Sequence, residues 1–381
     1  MARLLLLMVF FSAPAWAHGG KLAAEALYFE DDDLAAVSSN FGLLTKTEDG
    51  FGWACFDTLT SLPFEGFWHR GAWYAETRAG LYTSDDKGCS WSPVEGSLRG
   101  QPVHGLRVLG DALVARAQRL PAPGQLHRDE GQGFALWGEP LPQGEFLDFV
   151  VRSSDEVVLA LIQDDGADPA LWISDPSLET WTLAAVLEGL NQPRFIDLEL
   201  GERRKVIAAL RGAAGELWIV DADDTLSRRA QLPTPVQEGR THGDEHWVIT
   251  LTGVPLKAIG DGPFLPAEGP EHCMASKGSD LVACGDLDDG HLTLERIEGG
   301  FRPRHPFSSL TGSLCPEAEC VDRWDQLEAL WTPAPDAGPA GDAGAPIEPP
   351  SGCGCAALPP DLMLAFAAWL GLRRRRTCSR A

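Results

Sequence analysis

Six cysteines, Cys55, Cys89, Cys273, Cys284, Cys315 and Cys320, are the residues of this 381-residue chain best placed for covalent chemistry. An even count in an exported chain points to disulfides. Proximity in sequence pairs Cys273 with Cys284 and Cys315 with Cys320, leaving Cys55 for Cys89, one of many arrangements six cysteines allow. Zinc is not expected. Cys315 and Cys320 are separated by four residues and lack a histidine pair at finger spacing. His242-Gly243-Asp244-Glu245-His246 spaces two histidines like a zinc hydrolase. That helix needs glutamate directly after the first histidine, and Gly243 favours a loop. Asp286-Leu287-Asp288-Asp289-Gly290 opens like a calcium loop, yet Ile297 stands where the bidentate glutamate belongs. Asp31-Asp32-Asp33 reads as a solvated loop. No Gly-x-Ser-x-Gly elbow, phosphate loop or dinucleotide fingerprint occurs. The expectation is no catalytic residue, no cofactor and no metal.

The elements that must position these cysteines recur. Gly80-Leu81-Tyr82-Thr83 is strand-like and leads into Ser84-Asp85-Asp86-Lys87-Gly88-Cys89-Ser90-Trp91, with Ser84, Asp86, Gly88 and Trp91 at S-x-D-x-G-x-x-W spacing. Asp accepts bonds from the turn backbone, Gly supplies positive φ, and the aromatic packs back on the hairpin. Partial copies end at Trp53, Phe134, Trp181 and Leu226, and degenerate ones at Phe264 and Phe301. Successive marker spacings are 38, 43, 47, 45, 38 and 37 residues. Four-strand propeller blades take about 40 to 45 residues each. Strand-like runs lie between the markers at 71–76, 105–109, 112–117, 157–162, 206–210, 247–251 and 281–284. Residues 182–190 are at most one short helix. The copies resemble the Asp-box repeats of sialidase-like β-propellers. The fold expected is all-β: a seven-bladed β-propeller over residues 22–331, with six blades as the alternative because the last two markers are the most degenerate. Closure is expected from the N-terminal segment, Leu27–Glu30 or Ala35–Ser38 pairing in the last blade.

The sialidase-like resemblance implies an arginine cluster, a Tyr/Glu pair and an acidic proton donor. Tyr28, Tyr74 and Tyr82 all fall in strand positions, and Arg70, Arg78, Arg107, Arg116, Arg152 and Arg194 do not space into a triad. A fold does not bring its catalytic residues with it. The run Phe67-Trp68-His69-Arg70-Gly71-Ala72-Trp73 is read as blade core, with a stacking platform for sugars or peptides as the alternative.

The two ends carry an address. Arg3, the apolar run Leu4–Phe11 and Ala15-Trp16-Ala17 form a signal peptide, with cleavage expected after Ala17. Residues 1–17 are then the leader and 18–331 the ectodomain. Residues 332–352 are a flexible Pro/Gly/Ala spacer, and 353–381 a C-terminal segment. That segment joins Cys353-Gly354-Cys355 to an apolar stretch, 362–372, and to Arg373–Arg376. Eleven apolar residues reach about half a hydrocarbon core, and arginines stay on the cytoplasmic side. The segment resembles the MYXO-CTERM sorting domains of myxobacteria and related Gram-negative bacteria. It departs from them in the extension Thr377–Ala381 and in Pro359-Pro360-Asp361. The resemblance implies a short transmembrane sorting helix, an envelope sorting protease as partner, and Cys353 or Cys355 as the processed residue and candidate for lipidation. It also implies transient residence in the inner membrane and a final place at the outer membrane or cell surface. A plain tail anchor is the alternative.

Charge narrows the partners. The chain has a formal net charge of −24; residues 18–352 hold 25 basic and 54 acidic residues, a net of −29. Such a surface repels nucleic acid and anionic lipid, so no nucleic acid is expected. The function expected is an exported, envelope-anchored, non-enzymatic propeller that binds a protein or glycan partner. The alternatives are a glycosidase or lyase on the same scaffold, or an envelope assembly factor.

Overall fold

A computed structural model describes residues 22–331, apart from 31–32, 56–64, 78, 130, 153–156, 199, 201–203, 278–279, 289 and 299. The signal cleavage site at Ala17, the spacer from residue 332, and Cys353 and Cys355 lie outside the described residues.

The chain forms seven antiparallel sheets, each built from four consecutive strands in chain order. Blade 1 holds Ala24–Glu30, Asp33–Ser39, Gly42–Lys46 and Phe51–Ala54; blade 2 holds Glu65–His69, Ala72–Thr77, Gly80–Ser84 and Ser92–Pro93. Blades 3 to 7 run from Val103 to Leu136, Glu145 to Val186, Asn191 to Leu232, Val236 to Pro266 and Met274 to Pro306. The molecule is a seven-bladed β-propeller.

The second strands of most blades are buried on both faces, while Ala72–Thr77 of blade 2 alternates. Val157–Gln163 is buried from Val157 to Ile162, and Lys205–Arg211 buries Val206 to Ala209. Burial on both faces suits an unbroken apolar run rather than alternation. The fourth strands of blades 2 to 7 lie at the rim, and Trp181–Val186 has no buried residue; in blade 1 the fourth strand, Phe51–Ala54, is buried throughout. Residues 182–190, read as at most one short helix, hold most of a rim strand. A rim strand has no need of an apolar stripe, so its pattern carries no strong period.

The ring does not close as expected. Leu27–Glu30 and Ala35–Ser38 both belong to blade 1 itself, paired with each other. The N-terminal segment bonds to blade 7 at its start, through an Ala23–Asp286 bridge and the Ala24 N to Gly285 O and Leu287 N to Leu22 O bonds of 3.2 and 2.9 Å, and packs on it through a shared core. Blade 7 completes its own four strands, and the chain then returns. Leu310–Ser313 adds to blade 1 as a fifth strand, parallel to Phe51–Ala54. A helix follows, Ala318–Glu328, burying Cys320, Trp324 and Leu327 on one face. The i, i+4, i+7 spacing of those residues was the available sequence signal for it.

Two disulfides pin this returning segment. Cys55 bonds Cys320 and Cys89 bonds Cys315, while Cys273 bonds Cys284 as sequence proximity suggests. The expected pairs Cys55–Cys89 and Cys315–Cys320 are corrected. Sequence distance misleads here because a ring brings its two ends together. Trp53 packs on Trp324 at 6.0 Å between ring centroids, and Trp331 on Trp324 and Phe307 at 5.7 Å each.

Candidate functional site

Six of the seven sequence markers stand just before a fourth strand or in its first two residues, and Trp53 is the third residue of Phe51–Ala54. The turns of blades 2 to 5 use one device, a carboxylate that accepts backbone N–H groups, whereas in blade 1 Thr47 N bonds Gly50 O. Asp86 is the fullest case. Its Oδ1 accepts the Ser84 hydroxyl at 2.8 Å and the N–H groups of Cys89 and Ser90 at 3.1 and 2.8 Å. Gly88 N donates to Ser84 Oγ at 2.8 Å, and Trp91 Nε1 to Gly88 O at 3.1 Å. Burial works against the Asp86 charge, but the bonds from Ser90, Ser84 and Cys89 hold it below the ordinary carboxylate range. Asp129 accepts Gly131 N and Gly133 N at 2.7 and 2.9 Å, and Asp175 accepts Glu179 N and Thr180 N at 2.8 and 3.2 Å. Gly88 has a further constraint. A Cβ there would meet Ala54 Cβ at 3.2 Å and Leu43 Cδ1 at 3.3 Å, so the blade 2 turn backs onto blade 1. These turns are scaffold, and none of their groups faces a cavity described here.

The candidate arginines fall into two sets. Arg70 meets Asp111 at 3.6 Å, Arg107 meets Asp148 at 3.0 Å, and buried Arg152 meets Asp224 at 2.6 Å. Arg116 donates to the carbonyls of Phe146 and Leu147, and Arg194 to that of Val236. Arg78 is outside the described residues. Arg107, Arg116 and Arg194 gather around one carboxylate, that of Asp148, which acts on all three guanidinium groups, while Arg70 and Arg152 pair elsewhere. The tyrosines are likewise structural. Tyr28 Oη donates to Gly66 O at 2.6 Å across the blade 1–2 seam, and Tyr74 packs partly buried against the core between blades 2 and 3. In the aromatic run, Trp68 and Trp73 pair across a two-residue hairpin, their rings edge-to-face at 5.4 Å. Trp73 is fully buried and donates from Nε1 to Thr45 Oγ1 at 2.8 Å. That run is core.

The other constellations fall apart on geometry. In the blade 6 hairpin Thr241 lies opposite His246, and His242 opposite Glu245. Neighbours along a strand face opposite sides, so His242 and His246 project from different faces. Asp286 lies in the turn before the strand His291–Ile297, while Ile297 ends that strand, about 20 Å away along it. Asp33 forms an exposed pair with Lys46 at 3.2 Å, and Asp31 and Asp32 are outside the described residues. Among the described residues, the metal-capable group that comes together is Cys315, Glu317 and Cys320. Both sulfurs are in disulfides, leaving a single carboxylate.

What sequence reasoning missed is a set of acids on the inner strands. Asp148 of blade 4 pairs with Arg107 of blade 3 and accepts Phe195 N of blade 5 at 2.9 Å. Glu238 of blade 6 accepts Met274 N of blade 7 at 3.1 Å and pairs with Arg240 at 2.9 Å. Burial pushes the Glu238 carboxyl up, against the pull of Arg240. Glu245 gathers Trp247 Nε1, Lys257 and Arg296 within 3.2 Å. Partial burial opposes its charge, yet the bonds from Arg296, Lys257 and Trp247 bring it down to about 2. An acidic residue inside an otherwise apolar strand, as in Phe146-Leu147-Asp148-Phe149, was the available signal.

One cavity of about 340 Å³ lies where the segment 268–272 crosses from blade 6 to blade 7. Glu268, Glu271, His272, Asp286, Asp288 and Phe301 line it, with His272 Nε2 3.4 Å from Asp286 Oδ2. Four carboxylates, one imidazole and one ring face suit hydrogen-bond donors or a cationic group. Among the described residues that line it there is no hydroxyl, and Cys284 is disulfide-bonded.

No family model matches the chain, and no curated protein matches it. Among solved structures it is similar to the extracellular domain of a one-component system protein from B. thetaiotaomicron, with a TM-score of 0.52 at 10% identity over 70% of this chain and 37% of that one. The chain thus spans little more than a third of that relative's length. It is also similar to a protein described as TolB from Agrobacterium tumefaciens, with a TM-score of 0.41 at 14% identity over 54% of this chain and 81% of that one. A third is the lectin SapL1, solved with alpha methyl fucoside, with a TM-score of 0.42 at 11% identity over 65% of this chain and 97% of that one. At such identities the likeness concerns the fold alone.

Proposed function

We propose that the protein is an exported binding propeller, held at the cell envelope by its C-terminal segment, that engages a protein or glycan partner without turning it over. The observation that carries the exported part is the pair of disulfides linking residues 265 and 226 positions apart, Cys55–Cys320 and Cys89–Cys315. Bridges of that kind form and persist in oxidising compartments. The binding part rests on the arginines and tyrosines that a sialidase-type centre would require. Those described bind strand backbones, neighbouring carboxylates or core, and so hold blades together. Attachment rests on the resemblance of residues 353–381 to a sorting domain, with Cys353 or Cys355 processed by an envelope protease.

Two measurements test this. The oxidised full chain is screened against a glycan array and against envelope proteins by crosslinking, alongside chromogenic glycosides. Saturable binding with no glycoside consumed is expected. Turnover of a glycoside moves the protein to the hydrolase reading, and absence of binding to either partner class ends the binding one. Mass spectrometry of the protein from envelope fractions is expected to show loss of Arg373–Arg376 and added mass at Cys353 or Cys355. An intact C-terminus removes the sorting claim.

A further inference from the structure

The sulfurs of the two ring-closing disulfides are neighbours. Cys315 Sγ and Cys320 Sγ lie within 4.8 Å of each other, although each is bonded elsewhere. On the opposite side of the cluster, the chain positions just before Cys55 and Cys89 also touch, since a Cβ on Gly88 would stand 3.2 Å from Ala54 Cβ. All four cysteines therefore occupy one site at the blade 1–2 seam. Three are buried, Cys55, Cys315 and Cys320, and Cys89 is only partly so. The cluster has one open door.

We infer that this cluster is a thiol-triggered disulfide isomerisation switch that exchanges Cys55–Cys320 and Cys89–Cys315 for Cys55–Cys89 and Cys315–Cys320. A small external thiolate attacks Sγ of Cys89, forming a mixed disulfide there and expelling the Cys315 thiolate. The Cys315 thiolate attacks Sγ of Cys320, forming Cys315–Cys320 and expelling the Cys55 thiolate. The Cys55 thiolate then attacks Sγ of Cys89 in the mixed disulfide, forming Cys55–Cys89 and returning the external thiolate. Disulfides are conserved, no electron is gained or lost, and the thiol is a catalyst. Cys320 lies in the first turn of the helix Ala318–Glu328, where backbone N–H groups and the helix dipole stabilise a thiolate. The Cys55–Cys320 bond can therefore also be opened at Cys55 Sγ, with Cys320 as the leaving group.

The two pairings differ in what they join. In the observed one, the segment Leu310–Trp331 is bonded to blades 1 and 2. In the exchanged one, each bond is internal, one to that segment and one to the blades. Non-covalent contacts alone then hold the segment to the blades, among them the strand pairing, the Leu314 N to Trp53 O bond and the Trp53–Trp324 contact. The consequence for attachment rests on the sorting reading of the C-terminus. The exchange does not, and an unprocessed tail leaves its peptide map unchanged.

The test uses the full oxidised chain with substoichiometric glutathione, alkylation, digestion without reduction, and mapping of linked peptides. Peptides joining Cys55 to Cys89 and Cys315 to Cys320 are expected to grow at the expense of the original pair. Alkylated thiol should not rise above the glutathione added. Survival of the original pair alone, or its loss to free thiols without the new links, overturns the switch. The variant Cys89→Ser frees Cys315 with no thiol added. It should change from Cys55–Cys320 to mostly Cys315–Cys320 with Cys55 alkylatable. Retention of Cys55–Cys320 with Cys315 alkylatable overturns the inference independently of the first arm.

Discussion

Blades 3, 4 and 5 meet through Asp148, which holds Arg107 on one side and Phe195 N on the other. Blade 7 meets blades 1 and 2 through a returning strand, a helix, stacked tryptophans and two disulfides. The internal seams join consecutive stretches of chain, where closing the loop between neighbours costs little entropy. A few charge-assisted hydrogen bonds suffice. The closing seam joins stretches more than two hundred residues apart. Bonds that cannot dissociate with the unfolded chain are most effective there.

The contrast can be broken most directly at the sulfurs. Replacing all four ring-closing cysteines by serine should lower stability by about 5 kcal/mol, against about 3 kcal/mol for Cys273→Ser/Cys284→Ser, whose loop is short. Urea midpoints of the two variants decide it, and an equal or larger loss from the short loop would end the distinction. The next effect is a pH dependence inside the ring. His127 is buried, with Nδ1 2.7 Å from Ser97 Oγ, which itself donates to Phe134 O. Nδ1 must then carry the proton, and Nε2 is left without a partner. Burial lowers the imidazole from 6.5 to about 4. The unfolded chain takes up the proton first as pH falls. The stabilisation is therefore complete above pH 6.5 and disappears on going down to about 4, amounting to about 3 kcal/mol. Urea unfolding of His127→Gln across this window should lack that slope; an identical slope refutes the assignment.

Glu245→Gln probes the blade 6–7 seam, where the carboxylate holds Arg296 of the next blade. A loss of about 2 kcal/mol is expected, because Arg296 and Lys257 keep their charge without a counterion. If thermal denaturation shows no loss, the seam rests on the Trp247–Phe301 packing instead. The smallest effect belongs to Asp86→Ala. Losing the turn bonds should cost about 1 kcal/mol, since the exposed backbone groups turn to water. With the ring-closing disulfides removed, the same substitution should cost more, because Cys89 no longer fixes the turn to Cys315. Additive losses in that double comparison would show that turn and bridge are independent.

Blade number was legible because each turn must reverse the chain in a few residues, and few residue types do so. Six of the seven strand-like runs read from the sequence are second strands, such as 112–117 and 157–162. Most of these are buried on both faces, so their apolar content is continuous and easy to see. Rim strands such as Ser92–Pro93 and Leu265–Pro266 are two residues long and carry no pattern. The closing pairs were illegible for a different reason. Which of four mutually close cysteines bond is set by the ring's dimensions, and no local spacing encodes those. Asp148 and Glu238 escaped notice because each reaches a group on another blade, Arg107 and Phe195 N for Asp148 and Met274 N for Glu238.

The parallel pairing of Leu310–Ser313 with Phe51–Ala54 also sets a load path. Tension entering at Trp331 meets the helix, then Cys320 and Cys315, and passes through sulfur into Cys55 and Cys89. It never reaches the rim strand Gly300–Pro306, so blade 7 is spared peeling from its outer edge. A pull is taken in shear along a strand and through covalent bonds, the geometry of a rivet and not of a zipper.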